Sequence, residues 1–446
     1  MSCAGRLRQR AGSDGYASGW DETEHAGGQA KMNFKAAAIA VFILIYLYNL
    51  MLTVIHMRSA GNPVPANVSD VYDPETYRKW RSYHAEKSRF SILSSTVSFI
   101  IDLLLLALNI YAAFAGLFPG TPFMQMFAVM LLSGLSSLLM IPFSWHNTMV
   151  IEEKYGFNKS TAGTFWMDQV KEFLIGLLLM TGIGALLMWV HQALGDWLIL
   201  AFAILMTAFA LIISFLYPVL SKIFNKFKPL EDGELKDKIT ALLTKNGYQV
   251  RAIKVMDASR RTTKSNAYFS GFGKMKTIVL YDTLVNAMTP DEICAVFAHE
   301  MGHGLHKDTL KNQILTFVQM ALLAVLAWLT LRTPGIFTAF GFREVNYGFA
   351  MILIMSVEFA LVAPLFGLLA NWFSRRAEYR ADAQAVQEGY GDALISGLKK
   401  LSRENLSDLS PSPLLVTLEY SHPTLSQRIT AIEALKKSGK ASAFPA

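Results

Sequence analysis

Long apolar runs alternate with polar segments along the chain, and seven of these runs are long enough to cross a bilayer. Each holds about 20 mostly apolar residues, the length that a membrane-spanning helix needs. The predicted spans lie near residues 36–56, 93–118, 123–145, 173–194, 197–220, 312–332 and 348–372. Buried helices of soluble proteins seldom repeat such length seven times. The pattern therefore predicts a mainly α, polytopic membrane protein.

The positions of Lys and Arg predict the orientation of these spans. The loops 57–92 and 146–172, the stretch 221–311 and the tail 373–446 are rich in basic residues, whereas the alternate loops are nearly free of them. Because basic loops tend to stay on the cytoplasmic side, we expect the stretch 221–311 and the C-terminus in the cytoplasm. Seven spans then put the N-terminus outside, although its arginines run against this rule.

These spans divide the chain into five segments. Residues 1–31 are Gly-rich, polar and aperiodic, so we expect a disordered extension, with Met32 as the natural start. The other segments are a membrane domain with spans 1–5 (32–220), a cytoplasmic region (221–311), spans 6 and 7 (312–372) and a C-terminal cytoplasmic part (373–446).

The amino-acid composition limits the kinds of partner that the chain is expected to bind. Of 446 residues, 52% are hydrophobic and 17% charged, and the net charge is +7. The basic residues form no dense stripe of the kind that binds nucleic acid. We therefore expect no nucleic-acid partner and attribute the surplus charge to attraction by anionic membrane lipids. The two cysteines, Cys3 and Cys294, lie in unlike surroundings, so no structural disulfide is expected.

The sequence "MTPDEICAVFAHEMGHGLHKD" predicts one helix that begins at residue 289. Thr289 is a good N-cap, Pro290 suits the first turn, and Glu292 at the third helical position completes a capping box. His299 and His303 are four residues apart, so their imidazoles share one face of the helix and can bind one Zn²⁺.

Glu300 lies between these histidines in the sequence but not on their face. It is rotated by about 100° from His299 around the helix. From there its carboxylate can reach an attacking water without binding the metal, as a general base must.

Zinc in a hydrolase usually has three protein ligands and one open position. A third histidine in this helix is excluded, because His306 and Thr309 stand where that class has Gly and His. We expect an exposed or supporting role for His306. The segment "NWFSRRAEYRADAQAV" instead offers Glu378 as the ligand, with Asp382 on the same face to accept the second N–H of a ligand histidine. This helix follows the seventh span and the histidine helix precedes the sixth, so both should reach one membrane face.

Five short motifs occur together in a characteristic order. They are "IEEKYGFNKST", "NAYFSGFG", "VFAHEMGH", "SRRAEYRAD" and "YSHPTLSQR". With the seven predicted spans, they make the chain resemble the type I CaaX prenyl proteases, which are integral-membrane zinc endopeptidases of the gluzincin type. The resemblance extends from the first span to the C-terminus. It implies that seven helices enclose a chamber and that a cytoplasmic zincin-like α+β protease domain caps this chamber.

The resemblance also assigns roles. It implies one Zn²⁺ per chain, bound by His299, His303 and Glu378, with Glu300 as the catalytic base. It further implies that Asn266 holds the substrate backbone or the oxyanion, that His422 stabilises the transition state, and that Arg428 orients substrate or supports the structure.

The residues alone leave alternatives open for two of these positions. Asn266 can be a turn residue, and His422, which precedes Pro423, can be an ordinary histidine in an extended loop. The segment "KTIVLYDTLV" predicts a strand before the histidine helix. An exposed strand edge near 266–270 could pair with an extended substrate.

The sequence thus favours a membrane zinc endopeptidase that cleaves peptides or proteins, prenylated ones included, and we expect a monomer. A heat-shock-type quality-control zinc protease is the first alternative, but such proteins usually carry about four spans, and five precede residue 221 here. The second is a non-catalytic transporter or scaffold, which would bind no zinc. The C-terminus "ASAFPA" carries no retrieval signal, which favours a bacterial inner membrane over the endoplasmic reticulum.

Overall fold

The computed structural model describes residues 19–118, 120–247, 250–270, 277–306 and 308–438, most of which are helical. The N-terminal half contains α1 (Gly19–Ser59), α2 (Pro74–Ala107), α3 (Ile110–Ala115), α4 (Pro122–Leu138), α5 (Ile141–Trp145), α6 (Ala162–Leu194) and α7 (Leu198–Leu220). A π-helix, His146–Glu152, continues α5.

In the described residues of the C-terminal half there are ten further α-helices and four strands. The helices are α8 (Glu234–Lys245), α9 (Asp282–Ala287), α10 (Pro290–Leu305), α11 (Asp308–Leu331), α12 (Pro334–Ala339), α13 (Tyr347–Leu353), α14 (Phe359–Gln387), α15 (Gly391–Glu404), α16 (Pro413–Leu418) and α17 (Leu425–Ser438), and the π-helix Ile354–Glu358 joins α13 to α14. The strands are β1 (Phe227–Pro229), β2 (Ala252–Met256), β3 (Ala267–Ser270) and β4 (Thr277–Tyr281).

Within the described part of the chain, five helices are long and apolar enough to cross a membrane. They are Asn33–Ser59, Pro74–Ala107, Ala162–Leu194, Leu310–Leu331 and Tyr347–Gln387. The pair Pro122–Leu138 and Ile141–Glu152, bent by 42°, makes a sixth if it is one span, and α7 contributes the shorter apolar stretch Leu200–Phe209. Large side chains such as Leu178 and Leu365 point outward on these helices, 73% and 68% exposed, as expected where lipid replaces water. Seven spans and a cytoplasmic protease domain remain predictions.

Two predicted boundaries differ from the structure. The second span was expected at 93–118, but α2 begins at Pro74, capped by Asp73, and ends at Ala107. Asn109 then takes a left-handed conformation with φ of 56°, which ends the helix. The predicted disordered extension 1–31 is helical from Gly19 onward, because adding residues to an existing helix avoids the cost of a new nucleus. Its residues 1–18 lie outside the described chain.

The membrane helices share a large apolar core around Tyr111, Met126, Leu187 and Phe349. The carboxylate of Glu358, inside the last apolar helix, accepts a hydrogen bond from the Thr330 hydroxyl on α11. A half-buried acid in a span needs such a partner, so Glu358 pairs with a neighbouring helix.

The strands form one sheet in the order β1-β2-β4-β3. β2 and β4 are parallel, whereas β1 and β3 are antiparallel to their neighbours. Most of β4 is buried, and it leads through α9 into α10, so the strand predicted before the histidine helix is confirmed at Thr277–Tyr281. Among the residues that the structure describes, β3 pairs only with β4, so its other edge has no strand partner there.

The two halves of the chain are joined by a shared core and by backbone pairing. Val68, Trp80 and Tyr83 from the N-terminal half pack in one apolar cluster with Leu409 and Ile429 from the C-terminal half.

The segment "IEEKYGFNKST" supplies the backbone pairing. Asn158 forms an isolated β-bridge with Thr262. The Lys159 N–H donates to the Arg261 carbonyl at 3.0 Å, and the Thr263 N–H donates to the Phe157 carbonyl at 3.2 Å. The membrane half therefore positions the chain that enters β3.

Candidate metal centre

Helix α10 carries the two histidines, and its start is fixed by the capping box that the sequence predicts. The Thr289 hydroxyl accepts the Glu292 N–H at 3.3 Å, and the Glu292 carboxylate accepts the Thr289 N–H at 2.9 Å. Apolar residues such as Ile293 and Phe297 then bury one side of the helix in the core that includes the sheet. This packing fixes the rotation of α10 and directs His299 and His303 toward α14.

Helix α14 packs closely against α10 at Gly302. A Cβ atom at this position would lie 2.8 Å from the Ala381 Cα and 3.0 Å from the Gln384 Cβ. Only glycine tolerates this approach without a shift of one helix. The contact brings Glu378 and Asp382 opposite the histidines.

Three side chains converge at this contact. Glu378 Oε2 lies 3.4 Å from His299 Nε2, and Glu378 Oε1 lies 3.2 Å from His303 Nε2. The two Nε2 atoms are 3.3 Å apart. All three side chains thus offer a ligand atom within 4.8 Å of the others.

The donor set fits a divalent cation. Two imidazole nitrogens and one carboxylate are the ligands of a common class of catalytic zinc site. Glu378 is 3% exposed, and its Oε2 atom is buried without a hydrogen-bond partner among the described residues. Burying an unsatisfied carboxylate oxygen is costly, and a cation between these atoms would satisfy it.

Asp382 and Arg428 contact two of the three candidate ligands and hold them in place. Asp382 Oδ1 lies 2.8 Å from His299 Nδ1. The Arg428 guanidinium donates from Nε to Asp382 Oδ2 at 2.9 Å and from Nη2 to Oδ1 at 2.5 Å. The Arg428 cation contacts both carboxylate oxygens and so favours the ionised form of Asp382. An ionised Asp382 favours a proton on His299 Nδ1 and leaves Nε2 free to bind a metal.

Arg428 also lies 3.4 Å from Glu378 Oε2 and is largely buried. Its side-chain contacts are with the acids of α14 and with His299 Nδ1, at 3.2 Å, so a structural role fits Arg428 better than the orientation of substrate. Glu300 is half-buried.

The structure places His422 at the same cluster. Its Nε2 atom is 3.3 Å from Glu378 Oε1, and its side chain is 60% exposed, so it lies on the open side. The Ser421 hydroxyl lies 2.9 Å from the other ring nitrogen. A histidine on the open side can donate a hydrogen bond to a reacting group.

Asn266 precedes the free edge of β3 and is exposed. Its side-chain oxygen accepts the Ala267 N–H at 2.9 Å, and its carbonyl accepts the Tyr281 N–H at 3.1 Å. Both bonds hold it to the sheet, so its position is fixed at the entrance of the edge strand.

One acid at the site was missed from the sequence. Asp308, which is buried, lies with its Oδ2 atom 3.3 Å from His303 Nδ1. Its Oδ1 atom accepts hydrogen bonds from Arg380 at 2.8 Å and Lys311 at 3.2 Å. Asp308 thus contacts the Nδ1 atom of His303 as Asp382 contacts the Nδ1 atom of His299. The signal in the sequence that could have revealed Asp308 is an acidic residue just beyond the end of the histidine helix. His306, by contrast, is exposed at the helix end.

Comparison with known families covers both halves of the chain. The family described as "CAAX prenyl protease N-terminal, five membrane helices" matches residues 53–226. The family described as "Peptidase family M48" matches residues 229–436. The chain belongs to the CAAX prenyl protease 1 family.

Relatives in this prenyl protease family match over most of their length. The "CAAX prenyl protease 1 homolog" of Oryza sativa subsp. japonica is 33% identical over 89% of this chain and 96% of its own. The "CAAX prenyl protease 1" of Saccharomyces cerevisiae is 32% identical over 86% of this chain and 92% of its own. The crystal structure of S. mikatae Ste24p superimposes with a TM-score of 0.83 at 29% identity, covering 90% of this chain and 99% of that one.

Membership in the CAAX prenyl protease family establishes a multi-pass membrane metallopeptidase. It also leaves the heat-shock-type protease and the non-catalytic transporter or scaffold without support. These relatives come from eukaryotes, so they do not support the bacterial inner membrane that the C-terminal sequence favoured.

Proposed function

We propose that the chain is a zinc endopeptidase that cleaves prenylated peptides or proteins at the membrane surface, with one Zn²⁺ bound by His299, His303 and Glu378. One observation carries the proposal: α14 places the Glu378 carboxylate 3.2–3.4 Å from both histidine Nε2 atoms. Zinc, when bound, supplies a Lewis acid for the scissile carbonyl and makes a water more acidic.

Glu300 is the base in this proposal. It lies outside the converging group of three ligands and is half-buried. It accepts a proton as the water attacks the peptide carbonyl, and it then delivers that proton to the leaving amine.

His422 stabilises the oxyanion that develops during this attack. Its exposed ring borders Glu378 without joining the buried ligand set. Such a donor contributes roughly 3–4 kcal/mol to the transition state of a hydrolase.

The unpaired edge of β3 holds the substrate. An extended peptide pairs with Ala267–Ser270 as an added strand, and Asn266 meets it where the edge begins. In this mode the hydrogen bonds are made by the main chain of the substrate, so affinity does not depend on its sequence. The neighbouring membrane helices therefore select the prenylated substrates. Asp382, Arg428 and Asp308 hold the ligands and touch no substrate.

The site opens toward the cytoplasm beneath seven membrane spans in this proposal, and the enzyme acts as a monomer surrounded by lipid. The basic loops support this orientation. The eukaryotic relatives favour the endoplasmic reticulum over a bacterial inner membrane.

The test compares cleavage of a farnesylated CaaX peptide with that of the same peptide unmodified. We expect purified protein to contain one zinc per chain by elemental analysis, to cleave the farnesylated peptide faster, and to lose activity with a chelator until zinc is restored. Cleavage that survives chelation, in protein free of metal, would refute the zinc assignment. Equal rates on both peptides would refute prenyl selection alone.

A further inference from the structure

A second cleft lies away from the metal centre, where the protease half meets α6. Its volume is about 450 Å³. It is formed by the first turns of α6, the turn that follows α7 and the loop at residues 260–261. Its charged lining residues are Asp168, Lys171, Lys222, Lys226, Arg260 and Arg261.

The cleft has a strong excess of positive charge, with five cations against one carboxylate. Asp168 is already shared between Arg261, at 3.2 Å, and Lys171, at 3.7 Å. Among the described residues, Lys222 and Lys226 have no carboxylate within 4 Å of their ammonium groups. These two lysines are therefore available to an anion.

An exposed apolar surface of α6 lies beside this cleft. Trp166, Val170, Leu174 and Leu178 recur every four residues, so they form one stripe along the helix. These four side chains are 51%, 54%, 57% and 73% exposed. Met167, which lines the cleft, is 57% exposed beside the stripe. An apolar surface thus leads directly away from the cationic lining.

We propose that this cleft binds the phosphate headgroup of an anionic phospholipid, whose acyl chains lie along the α6 stripe. A phosphate accepts hydrogen bonds from Lys222 and Lys226, and each lysine near an anionic membrane surface contributes about 1 kcal/mol. The exposed stripe accounts for the choice of a lipid, because free phosphate would gain nothing from it.

Such a lipid would also support the entrance to the edge strand. Arg261 lines the cleft, and its carbonyl accepts the Lys159 N–H at 3.0 Å. Asn266 follows five residues later in the chain. The headgroup site therefore lies at the base of the segment that leads to β3.

The experiment measures lipid binding to delipidated full-length protein in detergent by native mass spectrometry. Dioleoyl phosphatidylserine is titrated against dioleoyl phosphatidylcholine. Wild-type protein should retain the anionic lipid preferentially. The double variant Lys222→Gln/Lys226→Gln should bind phosphatidylserine roughly 30-fold more weakly, the equivalent of about 2 kcal/mol.

The matched control is Lys236→Gln/Lys437→Gln, which removes the same charge from a half-buried position on α8 and an exposed one on α17, both outside the cleft, and should bind as the wild type does. Equal binding of the two lipids by wild-type protein, or wild-type affinity in the cleft variant, would overturn the proposal. So would displacement of phosphatidylserine by inorganic phosphate at comparable concentrations, which would mark a plain phosphate site. Because the readout is lipid retention, its failure says nothing about the peptidase.

Discussion

Gly302 lies directly against Ala381, so closely that a methyl group on Gly302 would come 2.8 Å from the Ala381 Cα. This contact sets the distance between α10 and α14, and with it the distance between the histidines and Glu378. The geometry of the candidate metal centre is therefore determined by a residue that offers no ligand atom.

The first prediction concerns this contact. Gly302→Ala should push the helices apart, weaken zinc binding and lower kcat/KM by about 100-fold, because a shift of about 1 Å can cost that much. Cleavage assays and competition with a chelator for zinc would measure both effects. Gly367→Ala, on α14 where a Cβ meets nothing within 4 Å, is the control and should keep wild-type activity. Unchanged zinc affinity in Gly302→Ala would contradict the role given to the contact.

The second prediction separates the base from the ligands. Glu300→Gln should bind one zinc per chain with wild-type affinity yet lose nearly all turnover, because the amide accepts no proton. Elemental analysis and single-turnover cleavage provide the two readouts. Glu433→Gln, an exposed position on α17, controls for the substitution itself. Wild-type cleavage by Glu300→Gln would remove Glu300 from the mechanism.

The third prediction concerns the acids behind the histidines. Asp308→Asn should weaken zinc binding by roughly 10-fold, since partners of this kind typically contribute 10- to 100-fold. Asp382→Asn should also weaken it, and should destabilise the fold by about 3 kcal/mol because it leaves Arg428 buried without its carboxylate.

Zinc titration and chemical denaturation distinguish the two variants. Asp392→Asn, an exposed acid on α15, is the control for both measurements. If Asp308→Asn bound zinc as tightly as wild type, its contact with His303 would have no influence on the metal.

The fourth prediction is a pH dependence of stability. Glu292 caps α10 and also accepts hydrogen bonds from Ser396 and Lys400 on α15 at 2.6 and 2.7 Å. Burial by itself would raise the pKa of Glu292, but the bonds from Lys400, Ser396 and the Thr289 backbone hold it below its usual value. A carboxyl group with a lowered folded-state pKa stabilises the fold above its unfolded pKa, about 4.3, and loses this effect as the pH falls further.

The wild-type apparent Tm should therefore fall as the pH drops below about 4.3. Glu292→Gln should start from a lower Tm at neutral pH and decline less on acidification. Fluorescence-monitored melting across this range measures both, with Glu433→Gln as the control. An identical slope in wild type and Glu292→Gln would show that Glu292 does not carry the effect.

Local periodicity predicted much of the candidate site. The capping box, the shared face of His299 and His303, and the pair Glu378 and Asp382 all follow from helical spacing within one element. Asp308 could not be found this way. It lies five residues after His303 and beyond the end of α10, so its contact depends on how the chain turns into α11.

Hydropathy located the apolar helices but not all of their ends. Helix α2 starts at Pro74 and extends well before the apolar stretch, because Asp73 caps a polar first segment that hydropathy cannot distinguish from a loop. Likewise, the bend of 42° between Pro122–Leu138 and Ile141–Glu152 has no counterpart in apolar composition.

The two family matches meet between residues 226 and 229, yet the fold does not divide there. Trp80 and Tyr83 share a core with Leu409 and Ile429, and Thr262 pairs with Asn158. A cut in that short link would therefore release no independent soluble protease, because each fragment would keep only part of this shared apolar core. The protease half therefore stays attached to the membrane helices, and the protein can act only on substrates that come to the membrane.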